Sequence, residues 1–494
     1  MTLGMTSHHG RLIRDSLINL AGQGLPLIAA IVAFPLLVNG LGPDRFGVLA
    51  LAWVLVGYAS LFDFGLGRAL TQLVAQRFGS GQGSDVPALA WTGLAAMSVA
   101  GIVVAAVLAA AAPWLVTTGL KIPAALQAES LEALRILCLS VPFVTCSAGL
   151  RGLLEARQRF GLVNIVRAVL GILTFLGPAA VLPHSNHLGA IMWLLLAVRV
   201  AAWVASLALC LRDVPGLRSG FSVRRDLVAS LLSAGGWITV SNVVGPVIIY
   251  LDRFLIGALL SAAAVAYYVT PYEVITKLLI FPAAFSAVLF PEFAASARGA
   301  GPAASLYSSA LKYTLVFLFP VVLIVLAFAP EALAWWLGHE FSQHGSTVAR
   351  VLAIGVLLNS LAQVPFTLAQ AVGRADWVAR LHLVELAIYI PVLYAAIAAA
   401  GIVGAAVAWS GRVAIDLVVL AAMARRLLPM PAAGIRRLWP GAAVCGAALA
   451  GAWLIPGIAA RTLFVAAVLI AFIVVSWRVW LSQEEKAGLR TWLP

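Results

Sequence analysis

Of the 494 residues, 63% are apolar and only 10% are Asp, Glu, Lys or Arg, against about 45–50% and about 25% in a soluble domain. So few charges cannot cover the surface of a water-soluble fold of this size, which excludes a soluble enzyme, a nucleic-acid module and a disordered chain. The balance is basic, 32 Lys and Arg against 19 Asp and Glu for a net +13, as expected of a membrane protein that keeps its cations on the cytoplasmic side.

A bilayer-spanning helix needs roughly 20 apolar residues. Residues 1–15 are polar and carry Arg11 and Arg14. The run after them, 17–38, has spanning length and no small-residue cleavage site follows it, so it reads as a first span and not as a signal peptide. Further runs follow at 46–70, 88–112, 131–150, 162–182 and 188–210. A basic polar stretch, Arg212–Asp226, then breaks the pattern. Six more runs lie at 227–250, 262–291, 305–329, 347–370, 381–400 and 402–423, and two close the chain at 438–456 and 461–481. The fold class is therefore an all-α polytopic membrane protein with about fourteen transmembrane helices. Its expected parts are an N-terminal six-helix lobe (1–211), a cytoplasmic linker (212–226), a C-terminal six-helix lobe (227–424), and two additional helices with a cytoplasmic tail (425–494).

Two features support this division. Asp44-Arg45-Phe46 and Asp252-Arg253-Phe254 each follow a span. Six spans separate the triplets, so both face the same side, which predicts halves related by an axis along the membrane normal. If the chain starts inside, the cytoplasmic segments carry twenty Lys and Arg. The outer loops carry four: Arg45, Lys121, Arg253 and Arg461. This bias predicts both termini in the cytoplasm.

Several chemistries are missing. None of the four lysines (Lys121, Lys277, Lys312 and Lys486) follows a glycine, so no P-loop exists. Gly79-Ser80-Gly81-Gln82-Gly83 joins two spans without a preceding strand and reads as a turn. His339 and His344 are five apart, the wrong spacing for a zinc helix, and read as a surface loop. His184 and His187 read as solvated beside a short turn. Cys138, Cys146, Cys210 and Cys445 sit inside apolar runs as small core residues. Neither a cofactor nor a metal set is read, and the outer loops are short for the site of a membrane enzyme.

The informative residues are charges within the spans, because a charge at the bilayer centre costs about 2.5–3.5 kcal/mol. Asp63 and Arg68 flank Gly65 and Gly67, which could break their helix, and their spacing argues against direct pairing. Glu273 and Lys277 are i,i+4 in the favourable order. Arg412 and Asp416 repeat that spacing in the other order. Glu385 has no local partner, nor do Arg167, Arg199 and Arg350, for which reaching the headgroups competes with a structural role. Polar stripes accompany these groups: Asn19 with Gln23; Asn359, Gln363, Thr367 and Gln370; His382, Glu385 and Tyr389; and Thr239, Ser241 and Asn242. Helix–helix hydrogen bonding explains such stripes without invoking function. Embedded cations outnumber embedded anions, and a cationic cavity suits an anionic substrate.

Two stretches carry a resemblance. LGPDRFGVLALAWVLVGYASLFDFGLGRALTQLVAQ (41–76) resembles the start of polysaccharide and O-antigen (Wzx-type) flippases of the multidrug/oligosaccharidyl-lipid/polysaccharide exporter superfamily. GGWITVSNVVGPVIIYLDRFLIGALLSAAAVAYYVTPYEVITKLLIFPAAFSAVLFPEFA (235–294) is similar to that family's second-half signature. The resemblance implies two MATE-like lobes around a cationic cavity in the bacterial inner membrane. The implied activity moves undecaprenyl-diphosphate-linked oligosaccharide from the cytoplasmic to the periplasmic leaflet by alternating access. H+ or Na+ is the candidate coupling ion, and polysaccharide polymerase machinery a candidate partner. The residues carried forward are Arg68, Lys277 and Arg412 as substrate-binding cations, and Asp63, Glu273, Glu385 and Asp416 as coupling or ion-pair carboxylates. A small-molecule antiporter of the same fold and a multispan enzyme acting on lipid-linked sugars are the alternatives.

Overall fold

The computed structural model describes residues 3–59, 65–81, 83–214, 216–218, 220–228, 250–296, 303–427 and 439–480, and every regular element among them is helical. The first compact unit is Met1–Thr270. It contains α1 (Leu3–Ala59), α2 (Leu66–Gly79), α3 (Val86–Trp114), α4 (Ala124–Cys138), α5 (Val141–Ala156), α6 (Phe160–Val181), α7 (Leu188–Asp213) and α8 (250–259). The second unit is Pro271–Pro494. The helix α9 (Ala262–Ile275) runs into it, followed by α10 (Ile280–Ser296), α11 (Ala303–Leu337), α12 (His339–Ala371), α13 (Ala375–Leu427), α14 (Trp439–Leu454) and α15 (Ile458–Val475).

The units divide between Thr270 and Pro271, later than the 212–226 linker expected from sequence. Local bonds tie the 250–270 segment to the first unit. The backbone N–H of Lys121 donates to Gly257 O at 2.8 Å and its ammonium to Leu259 O at 2.6 Å. Within the segment, the Tyr268 hydroxyl donates to Asp252 Oδ2 at 2.6 Å.

Ten helical stretches among the described residues are long and apolar enough to cross a membrane. Part of the difference from fourteen arises where two expected spans run together. α1 is broken at Gly42 (φ 76°, ψ 167°), between the expected spans 17–38 and 46–70. α13 is broken at Ala400 and Gly401 (φ 59°, ψ −140°), where 381–400 was expected to give way to 402–423. α4 and α5 together cover the expected 131–150, and the expected span 227–250 lies almost wholly outside the described residues.

The packing is that of helices dissolved in lipid. On α3, Leu89, Leu94 and Met97 are buried against Leu66, Leu70 and Val74 of α2 and Leu150 and Leu153 of α5. Elsewhere on α3, Val99, Ile102, Val103 and Val107 stay exposed. A helix apolar on all faces needs an apolar solvent outside the protein. In the second unit Phe293 of α10, Tyr307 of α11, Leu368 of α12 and Ala424 of α13 form a separate core. All four cysteines are free and buried.

Candidate functional site

In the first unit the second expected span is not continuous. The described part of α1 runs to Ala59, and α2 begins at Leu66 after Gly65, whose φ of 71° is left-handed. A side chain there would bring its Cβ too close to the next carbonyl, so the glycine permits the break. Arg68 lies in the first turn of α2. It is exposed while Leu66, Gly67, Ala69 and Leu70 around it are buried, and among the described residues no carboxylate forms an ion pair with it. Asp63, expected nearby, lies outside the described residues, as do Thr239, Ser241 and Asn242; nothing is described of the side chains of Asn19 and Gln23.

α5 crosses α2 at this point. A Cβ at Gly152 would stand 3.0 Å from Gly67 O and would overlap the Thr71 hydroxyl, so only glycine permits the approach. Arg151, next to Gly152, is also exposed. Arg151 is one of the twenty Lys and Arg that the sequence assigns to cytoplasmic segments. The crossing that puts it next to α2 depends on tertiary packing between distant segments.

In the second unit the turn at Ala400–Gly401 folds α13 on itself and opposes residues 382–389 to 409–416. The Arg412 guanidinium donates through Nη1 to Asp416 Oδ2 at 3.1 Å and to Glu385 Oε2 at 3.4 Å. It also lies over the Tyr389 ring at 5.7 Å. Glu385 and Asp416 are buried, 7% and 8% exposed. One polar atom each of His382, Glu385 and Asp416 falls within 4.8 Å of the other two. Glu385 therefore has a partner, supplied from the other arm of the hairpin. Arg412 was expected as a substrate-binding cation, but both carboxylates engage it and its side chain is only 14% exposed.

The remaining charges sort by environment. Glu273 and Lys277 form the expected pair at 3.3 Å, with Lys277 47% exposed, in a tightened turn between α9 and α10. Arg199 turns inward: it is 6% exposed and donates to Leu195 O within its own helix at 3.1 Å. Arg350 likewise turns inward, to Leu326 O at 2.9 Å and over the Trp453 ring at 5.4 Å. Arg167 approaches Glu155 at 3.9 Å. Arg461, counted as a loop cation, is buried in α15, where it pairs with Glu331 at 3.1 Å and donates to Ala327 O. Arg253 is fully buried, packed over Tyr250 and beside Asp252. His339 and His344 sit on the first turns of α12, exposed, and not in a loop. Gly81, with φ 76°, makes the expected turn after α2.

Helices in two units, apolar toward lipid and carrying charges at a helix break and inside a hairpin, describe a transporter of the polytopic kind. The family model described as "Polysaccharide biosynthesis protein" matches residues 12–297. A protein of Shigella flexneri described as "Putative O-antigen transporter" is 31% identical over 410 residues, 83% of this chain and 96% of the relative. The chain thus belongs to the polysaccharide biosynthesis protein family of membrane transporters. Two solved structures share the fold. Lipid II flippase MurJ in its inward closed conformation gives a TM-score of 0.70 at 12% identity, covering 94% of this chain and 99% of that one. An inward-facing multidrug-resistance MATE transporter of the MOP superfamily gives 0.68 at 15% identity, covering 83% and 98%.

Proposed function

We propose that this chain is a flippase for lipid-linked oligosaccharide, carrying undecaprenyl-diphosphate-linked polysaccharide repeat units from the cytoplasmic to the periplasmic leaflet of the bacterial inner membrane by alternating access. Both termini lie in the cytoplasm in this reading. The observation that carries it is Arg68: an exposed cation in the first turn of a helix that starts inside an apolar stretch, with Arg151 beside the same crossing. Irregular backbone at membrane depth is tolerated where it lines a cavity or is buried in protein. A guanidinium there can grip two diphosphate oxygens at once.

Family membership and the transporter named above support the substrate class. Arg68 is the principal diphosphate contact in this reading, and Lys277, half-exposed beside Glu273, is carried as a further substrate-binding cation. Glu385 and Asp416, with Asp63, are the coupling carboxylates. The test is Arg68→Ala in cells that build the glycan. The reading expects lipid-linked oligosaccharide to accumulate on the cytoplasmic face at unchanged protein abundance, and partial recovery in Arg68→Lys. Normal glycan export by Arg68→Ala would sink it.

A further inference from the structure

The α13 hairpin encloses a charge imbalance. Glu385 and Asp416 are both buried, 7% and 8% exposed, and among the described residues Arg412 is the one guanidinium that reaches them. Counting His382 as neutral, two carboxylates and one guanidinium sum to a single negative charge in a helix pair that crosses the bilayer. Arg412 bonds one oxygen of each carboxylate. The others, Glu385 Oε1 and Asp416 Oδ1, are buried and receive no hydrogen bond. Buried acceptors are normally satisfied, and a net charge buried in apolar surroundings is neutralised by a proton or a counter-ion.

Among the described residues, the elements packed on the hairpin bring no further charged partner to it. From α12, Phe366 stacks on His382 at 6.2 Å; from α9, Tyr272 meets Trp409 at 5.9 Å. Among the described residues, the charged side chains in contact with Glu385 and Asp416 are those of the cluster itself. Arg412 already stands between the carboxylates, where a metal ion would have to sit against a guanidinium.

We propose that Glu385 and Asp416 share one proton, which makes the α13 hairpin a proton-binding site of the second unit. With the proton bound, the carboxyl that carries it donates to the free oxygen of its neighbour, and Arg412 pairs with the carboxylate that stays ionised. Release breaks that O–H bond and passes the proton to water or to the half-buried imidazole of His382, leaving Arg412 divided between two anions. The use of this step to drive transport rests on the flippase reading above; the proton site itself does not.

The test needs no transport. The purified full-length protein in lipid nanodiscs is examined by infrared spectroscopy at neutral pH for the carbonyl stretch of a protonated carboxyl group, in choline chloride and in sodium chloride. The expected result is one such band, lost in Glu385→Gln and in Asp416→Asn, retained in Glu155→Gln, and equal in the two salts. Arg412→Gln should enlarge it, because both carboxyls then take protons, a change that a merely structural arginine would not cause. Each variant is checked for native helical content and elution, and the two salts decide on the unaltered protein should a variant not fold. Absence of the band, its survival in Glu385→Gln or Asp416→Asn, or its loss in sodium would overturn the proposal, the last by showing a metal cation in the proton's place. A band behaving as expected beside unimpaired glycan export in Arg68→Ala would leave the proton site standing while the flippase reading falls.

Discussion

Arg68 and Arg412 are the same residue type in the same class of apolar helix, yet the fold treats them oppositely. Arg68 is exposed at a helix start, beside a glycine crossing. Arg412 is closed in by Glu385 and Asp416 and covers an aromatic ring. Depth in an apolar run therefore does not decide whether a cation is available to a ligand; the partners brought by the opposite helix do. Among the described residues no carboxylate pairs with Arg68, so removing it leaves none of them uncompensated. Removing an enclosed cation leaves its carboxylates buried without compensation.

The largest expected effect follows from that difference. Arg412→Ala should destabilise the protein by about 3–5 kcal/mol, as is usual when one partner of a buried charge set is deleted, read as a lower midpoint in thermal denaturation of the purified protein. An unchanged midpoint would mean that the cluster is hydrated and the contrast with Arg68 false. Next comes Arg68→Ala, which should stay within about ±0.5 kcal/mol in the same assay while glycan export is lost. Destabilisation as large as that of Arg412→Ala would make Arg68 a structural residue.

Glu273 and Lys277 test the middle ground. Their half-exposed pair should contribute only about 0.2–1 kcal/mol. Reversal of either charge should impair export, and the double swap Glu273→Lys with Lys277→Glu should restore part of it, measured at matched protein levels. A double swap no better than the worse single variant removes the pairing from the mechanism. The smallest intervention alters no helix. Reporter fusions at Gly216 and after Gln483 should both signal cytoplasm, and a periplasmic signal at either would overturn the fourteen-span arrangement.

Much of the fold was legible because apolar runs of spanning length are a coarse and redundant signal. The break at Ala400–Gly401 fell where two runs abutted, since a glycine in a left-handed conformation is what such a turn needs. The i,i+4 pairs were legible for a related reason: a helix fixes their distance without help from the rest of the chain. Partners across helices were not. Glu385 and Arg412 are 27 residues apart and meet only because α13 folds back. Arg45 reaches Glu129, 84 residues on, and Glu129 also accepts from the N–H of Leu188 at the start of α7. The two Asp-Arg-Phe triplets are alike as sequence, yet Arg45 is a third exposed in its pair while Arg253 is fully buried. Arg461 misled for the opposite reason: an arginine beside a turn looks like a loop cation, and nothing local announces Glu331.

That last pair bears on how the protein is made. Glu331 and Arg461 are 130 residues apart, and a ribosome adds about 5–20 residues per second. The carboxylate of α11 is thus synthesised on the order of ten seconds before its guanidinium exists. Until α15 is inserted, the newborn second unit carries an acid that its finished form neutralises. A nascent chain halted before Trp439 lacks that guanidinium altogether, so the pairing of Glu331 waits on the last helix of the second unit.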